Sequence, residues 1–101
     1  MVTFIRHENF DSWLKGLRDL KGRARILARI KSAEAGNFGD CEPVGEGVSE
    51  MRVHFGPGYR VYFVRRNAVV YVLLCGGDKS MQQRDIRLAK TMARDLKDDL
   101  S

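Results

Sequence analysis

The chain is poor in the residues that staple or ligate: two cysteines, two histidines and two prolines in 101 residues. Cys41 and Cys75 are solitary, with no C-x-x-C spacing, which argues against a disulfide scaffold and against structural zinc. With only His7 and His54, a histidine-rich metal centre is equally out of place. No apolar run approaches the roughly 20 residues that cross a bilayer. The longest, Ala68 to Cys75, has the length of a buried strand. The opening Met-Val-Thr-Phe-Ile-Arg-His lacks the basic-then-apolar layout of a signal peptide, so a cytoplasmic location without membrane contact is expected.

What is present is an ordinary globular composition, 44% hydrophobic and 31% charged, with a net charge of +5. A chain of this length has enough surface to bury one modest core, so one domain over residues 1–101 is expected. The surplus charge is uneven. Met1 to Ala35 has eight Lys and Arg against four acids, Gly36 to Lys79 has five against five, and the rest has five against four. A basic domain suits an anionic partner such as nucleic acid or an acidic protein, although a solvated helical face accounts for the same numbers.

Periodicity then gives the elements. Val2 to Ile5 reads as a strand, and Asn9 as the cap of a helix with Phe10, Trp13, Leu14 and Leu17 along one stripe. Leu20-Lys21-Gly22 reads as a break before a second helix, Arg23 to Ala35, burying Ile26, Leu27, Ile30 and Ala33. Such a short connection predicts a helix hairpin. Gly36 to Val48, with its glycines and Pro43, reads as a long loop. From Glu50 the period becomes two. Met51, Val53 and Phe55 share one face and Arg52 and His54 the other. After the Gly56-Pro57-Gly58 reversal, Tyr59, Val61 and Phe63 alternate with Arg60 and Tyr62 in a strand to Arg65. Val69 to Cys75 is apolar on both faces, as in a central strand. Ser80 and Gln83 fit a capping box opening a last helix that buries Ile86, Ala89, Met92 or Ala93, and Leu96. Asp98 and Asp99 oppose the helix dipole and predict a frayed end. The order describes an α+β fold.

The chemistry-bearing residues are basic. Arg52, His54, Arg60 and Tyr62 fall on like faces of paired strands, and Lys79 follows the third strand. Guanidinium and ammonium groups suit a phosphate, and suit better the added charge of a phosphoryl-transfer transition state. In RNA the 2′-hydroxyl is itself a nucleophile, so this chemistry needs no metal or cofactor. His54 is the natural proton carrier near neutral pH. Ordinary alternatives stand beside each residue. A strand arginine is commonly a surface ion-pair residue, here with Glu50 or Asp78 to hold it. Tyr62 reads either as a base-stacking platform or as cross-strand packing. The basic run of the second helix, with Arg25 and Arg29, reads as an RNA stripe or as a solvated face. Gly45-Glu46-Gly47 and Gly56-Pro57-Gly58 precede strands and are turns, not phosphate loops.

Taken as a string, Gly36-Asn37-Phe38-Gly39-Asp40, Val44 to Arg52, Phe55-Gly56-Pro57-Gly58-Tyr59-Arg60-Val61-Tyr62 and Leu74 to Ser80, with Gln83, Asp85 and Ile86, resembles one family. It is that of the addiction-module killer proteins, HigB-like toxins of the RelE/ParE superfamily from bacterial type II toxin–antitoxin systems. The resemblance runs from Phe10 to about Ala93. It implies a RelE-like fold: a helix hairpin on a small, mostly antiparallel sheet, with a C-terminal helix near the other face. It implies an endoribonuclease that cleaves mRNA on the ribosome by 2′-hydroxyl attack, leaving a cyclic phosphate, and so inhibits translation. Arg60 then matches the arginine that stabilises the scissile phosphate, Arg52 and Lys79 match basic family positions, and Gln83 joins Tyr62, Arg25 and Arg29 as RNA-binding candidates. The implied partners are mRNA, the ribosome and a cognate antitoxin, a helix-turn-helix protein that forms a hetero-oligomer with the toxin. The superfamily also holds ParE-like inhibitors of DNA gyrase, and a non-toxic antitoxin-binding module has the same fold.

Overall fold

The computed structural model describes the chain over residues 1–100 and its side chains through Asp98. Strands β1 (Thr3–Arg6), β2 (Cys41–Gly45), β3 (Val48–Val53), β4 (Tyr59–Arg65) and β5 (Val70–Asp78) form one sheet in the order β1-β5-β4-β3-β2. β1 lies parallel to β5, and the other pairings are antiparallel. Helices α1 (Glu8–Gly16) and α2 (Leu20–Glu34) cover one face, and α3 (Gln82–Leu100) covers the other. The fold is therefore α+β with a mostly antiparallel sheet, and both faces of its centre are dry.

Two cores follow from that layering. Phe10, Leu14, Ile26, Ile30 and Ala33 of α1 and α2 meet Met51, Val53, Tyr59, Val61, Phe63 and Leu73. On the reverse, Ala89, Met92 and Ala93 of α3 meet Val48, Tyr62, Val72, Leu74 and Cys75. A register shift at Tyr62/Phe63 sends both Leu74 and Cys75 to the α3 side. After it Gly76 faces Trp13, and Gly77 faces Asp85.

Several local expectations need correcting. α1 is capped by His7, whose Nδ1 accepts from the Asn9 N–H at 3.1 Å, while the Asn9 side chain reaches Met92 Sδ at 3.5 Å. α2 starts at Leu20, capped by Asp19 through a 2.9 Å bond from the Gly22 N–H, so Gly22 sits inside the helix. Leu27 points outward at 36% exposure, because only the Ile26, Ile30 and Ala33 stripe meets the sheet. The glycine-rich segment after α2 contains the edge strand β2, where Pro43 is tolerated. No capping box forms at Ser80. Asp78 caps a 3₁₀ turn, Lys79–Met81, by accepting from the Ser80 N–H at 2.9 Å, and α3 begins after that turn. α3 is helical to Leu100, and the expectation for Asp99 lies outside the described side chains.

Gly22 is a close-approach glycine. A Cβ there would lie 2.6 Å from both Asp19 Oδ2 and the Tyr59 ring, whose hydroxyl donates to the same Asp19 carboxylate at 2.7 Å. Helix propensity alone favours alanine over an interior glycine by about 1 kcal/mol. Overpacking costs about 1–3 kcal/mol and decides the sign here. Gly22→Ala is expected to lower the urea midpoint, and a raised midpoint would show that the Tyr59–Asp19 contact yields easily.

Candidate functional site

The sheet register places Arg52 of β3 directly opposite Arg60 of β4, with Glu50 opposite Tyr62 two pairs earlier and on the same face. Two arginines face to face on one side of a sheet repel. The repulsion is met by Glu50, which is 1% exposed. Its Oε1 accepts from Arg52 Nε at 3.1 Å, and its Oε2 accepts from the Tyr62 hydroxyl at 2.9 Å and from Gln82 Nε2 at 3.0 Å. Arg60 Nε stands 3.5 Å from the same Oε2. Burial alone would raise the Glu50 carboxyl. The hydrogen bonds from Gln82, Tyr62 and Arg52 and the Arg60 charge outweigh it and hold the group below its ordinary value. Tyr62, buried against that carboxylate, is pushed upward and stays a neutral donor.

The two arginines differ in what remains of their hydrogen-bonding capacity. Arg52 has every nitrogen facing a carboxylate: Nε to Glu50, NH2 to Glu42 at 3.3 Å and NH1 to Asp40 at 4.0 Å. Arg60 is only 12% exposed at its side chain, its buried Nε makes no hydrogen bond, and NH1 donates to the Gly58 carbonyl at a long 3.4 Å. Gly58, at φ 80°, brings the two remaining pieces together, since a Cβ there would lie 3.6 Å from both Arg60 NH1 and Lys79 Cβ. Lys79 is exposed in the 3₁₀ turn. Arg60 thus faces Glu50 by charge on one side and is loosely held on the other, an arrangement able to receive an anion.

His54 lies just past β3 rather than within it and is exposed. Its Nε2 is 2.6 Å from Asp40 Oδ2, the carboxylate whose other oxygen faces Arg52. The His54 contact holds the Asp40 carboxyl below its usual value. Asp40 is itself positioned by Arg29. That guanidinium donates to the Arg52 carbonyl, to the Phe38 carbonyl at 2.9 Å and to the Asp40 carbonyl at 3.4 Å.

The structure therefore joins Arg52, Arg60 and His54 through Glu50 and Asp40, brings Lys79 near Arg60 only across Gly58, and separates the residues expected to bind RNA. Tyr62 is fully buried under α3, so its ring cannot take a base. Arg29 is committed to backbone carbonyls, and Arg25 lies over the Phe55 ring at 5.0 Å on the α2 side. Gln83 is exposed on α3, and it is the neighbouring Gln82 that reaches the site. Glu50, Asp40 and Gln82 were not expected as site residues, although Glu50 shares the two-residue period of Arg52. Among the described residues no His, Cys, Asp and Glu side chains gather so as to hold a metal ion. Nor is any described helix long and apolar enough to cross a membrane.

Beneath the site Asp85 is 3% exposed with Oδ2 unpartnered, pressed on the Gly77 backbone that pairs with Arg60. Burial raises its carboxyl, and the Arg84 guanidinium at 3.5 Å offsets this only in part.

Fold and site thus define a small α+β domain with a carboxylate-anchored arginine pair on one face of its sheet. No family model matches the chain. It is 52% identical over 87 residues to a protein of Haemophilus influenzae (strain ATCC 51907 / DSM 11121 / KW20 / Rd) described as an uncharacterized protein, covering 86% of this chain and 88% of that relative. The chain belongs to the same family as that protein.

Glu50 and Asp85 carry opposite pH signatures. The folded Glu50 carboxyl is depressed, so its contribution is complete at neutral pH and is lost as pH falls through the folded value. The folded Asp85 carboxyl is raised, so stability falls as pH rises from its unfolded value through its folded one. Glu50→Gln should cost about 2–3 kcal/mol at pH 7 and less at pH 3. Asp85→Asn should add about 1 kcal/mol at pH 7 and nothing at pH 3. Urea titrations at the two pH values measure both, and equal effects at both would contradict the assignments.

Proposed function

We propose that the protein is the toxin of a bacterial type II toxin–antitoxin system and acts as a metal-independent endoribonuclease on ribosome-associated mRNA. The observation that carries this reading is Arg60, a mostly buried guanidinium that faces Glu50 at 3.5 Å by charge alone and whose other nitrogens are weakly engaged. In the reaction an RNA 2′-oxygen bonds to the adjacent phosphorus and the bond from phosphorus to the 5′-oxygen breaks. Charge accumulates on the non-bridging oxygens as this happens, and Arg60 meets it, with Lys79 adding positive charge nearby. His54, oriented through Nε2 by Asp40, is the proton carrier, taking the 2′-hydroxyl proton or supplying one to the leaving 5′-oxygen. Arg52 is a positioning residue, since its nitrogens all face carboxylates and its Nε is hydrogen-bonded to Glu50. The substrates of such a toxin place it in the cytoplasm, and its partners are mRNA, the ribosome and a helix-turn-helix antitoxin.

Expression in a bacterial host without antitoxin, followed by mapping of mRNA 5′ ends, tests the proposal. New ends should appear with the unaltered protein. Arg60→Lys keeps a charge beside Glu50 but loses the planar fork, and should reduce cleavage by about 10²–10³-fold while the protein stays folded. Intact transcripts with trapped DNA double-strand breaks would mark a gyrase inhibitor instead. Unimpaired growth would mark an antitoxin-binding module without toxicity.

A further inference from the structure

On the α2 side of the β3 end, Arg25, Ala28, Arg29, Val53, His54 and Phe55 enclose an open concavity of about 330 Å³. That size is at the small end of the range for ligand clefts, about 300–1,000 Å³. Its floor is apolar, from Ala28, Val53 and the half-buried Phe55, and every charged or titratable side chain lining it is basic or a histidine. Arg29 is held by its backbone carbonyls and forms a fixed wall. Arg25 differs, being exposed, stacked over the Phe55 ring at 5.0 Å, and without a carboxylate in ion-pair range among the described residues. The slot over Phe55 thus already accepts a flat cation, and no described carboxylate pairs with the guanidinium that covers it.

We infer that this concavity is a nucleotide subsite for single-stranded RNA, in which a base stacks on Phe55 and the adjoining phosphate is taken by Arg25. The inference rests on the ribonuclease reading and extends it. His54 lines the concavity and is joined through Asp40 to Arg52, so a strand lying in it continues toward Arg60 around the end of β3. A flat aromatic floor beside cationic groups is the usual platform for unpaired bases, whereas an acidic peptide would use the charge but not the ring.

The test is fluorescence anisotropy of a labelled adenine hexanucleotide carrying 2′-O-methyl riboses, which cannot be cleaved by 2′-hydroxyl attack, across a range of salt. Phe55→Leu retains apolar volume and should weaken binding about tenfold with an unchanged salt slope, as expected for one lost stack. Arg25→Gln alters an exposed residue and should weaken binding while reducing the slope of log K against log salt by about 0.7, the single-strand value for one phosphate. On an abasic hexanucleotide the unaltered protein and Phe55→Leu should bind alike. Wild-type affinity in either variant, or no binding by the unaltered protein, would overturn the subsite. So would polyglutamate competing as effectively as RNA with no dependence on Phe55, which would assign the concavity to an acidic protein segment. The two readings fail separately. Cellular cleavage that depends on Arg60 but not on Arg25 keeps the nuclease and removes the subsite. Hexanucleotide binding through Arg25 and Phe55 without any cleavage does the reverse.

Discussion

The arrangement depends on one buried carboxylate. Glu50 lies where β3 and β4 bring two arginines into register, and its hydrogen bonds tie together three elements: Arg52 from its own strand, Tyr62 from β4 and Gln82 from the start of α3. Replacing such a buried ionic cluster by apolar side chains is often neutral or stabilising, so the cluster is poorly explained as a source of net stability. Its effect is geometric. It sets where α3 begins relative to the sheet, and it holds Arg60 with its Nε side turned into the protein. The ring of Trp13 against Gly76 and the carboxyl of Asp85 against Gly77 brace the same stretch of β5 from opposite faces.

The charge distribution gains a different meaning from this geometry. The segment from Gly36 to Lys79 has no net charge because its arginines lie among carboxylates, and three of its five acids, Asp40, Glu42 and Glu50, converge on Arg52. Arg52 is neutralised in place, whereas Arg60 shares only Glu50, at a distance too long for a good hydrogen bond. Two residues of identical chemistry on adjacent strands therefore have different capacities for an anion. The basic excess of the first 35 residues includes Arg29, which holds the loop presenting Asp40, and Arg25, which stands over Phe55.

Much of the layering was legible in the sequence because strand alternation reports which side chains share a face. Arg52, Arg60 and Tyr62 do lie on one side, opposite the Met51, Val61 and Phe63 set. Alternation does not say what covers a face, and α3 covers this one, which is why Tyr62 is buried and Glu50 belongs to the interior. The His54–Asp40 contact joins residues fourteen apart across a glycine-rich segment and leaves no periodic trace. The caps expected at Asn9 and Ser80 lie two residues earlier, at His7 and Asp78, since neighbouring polar groups compete for the same free N–H donors, and the second helix starts three residues before Arg23. Gly22 looked like a helix breaker because local sequence cannot register the Tyr59 ring packed against it.

Arg60 is proposed to stabilise a phosphate attacked by its own neighbouring 2′-hydroxyl. The chemistry of the ends it leaves tests this most directly. RNA from cells expressing the protein should acquire 5′-hydroxyl and 2′,3′-cyclic phosphate termini at the new breaks, read by ligation methods selective for each. Breaks bearing 5′-phosphate and 3′-hydroxyl ends would contradict the account, because a nucleophile other than the 2′-hydroxyl would then have cut the chain.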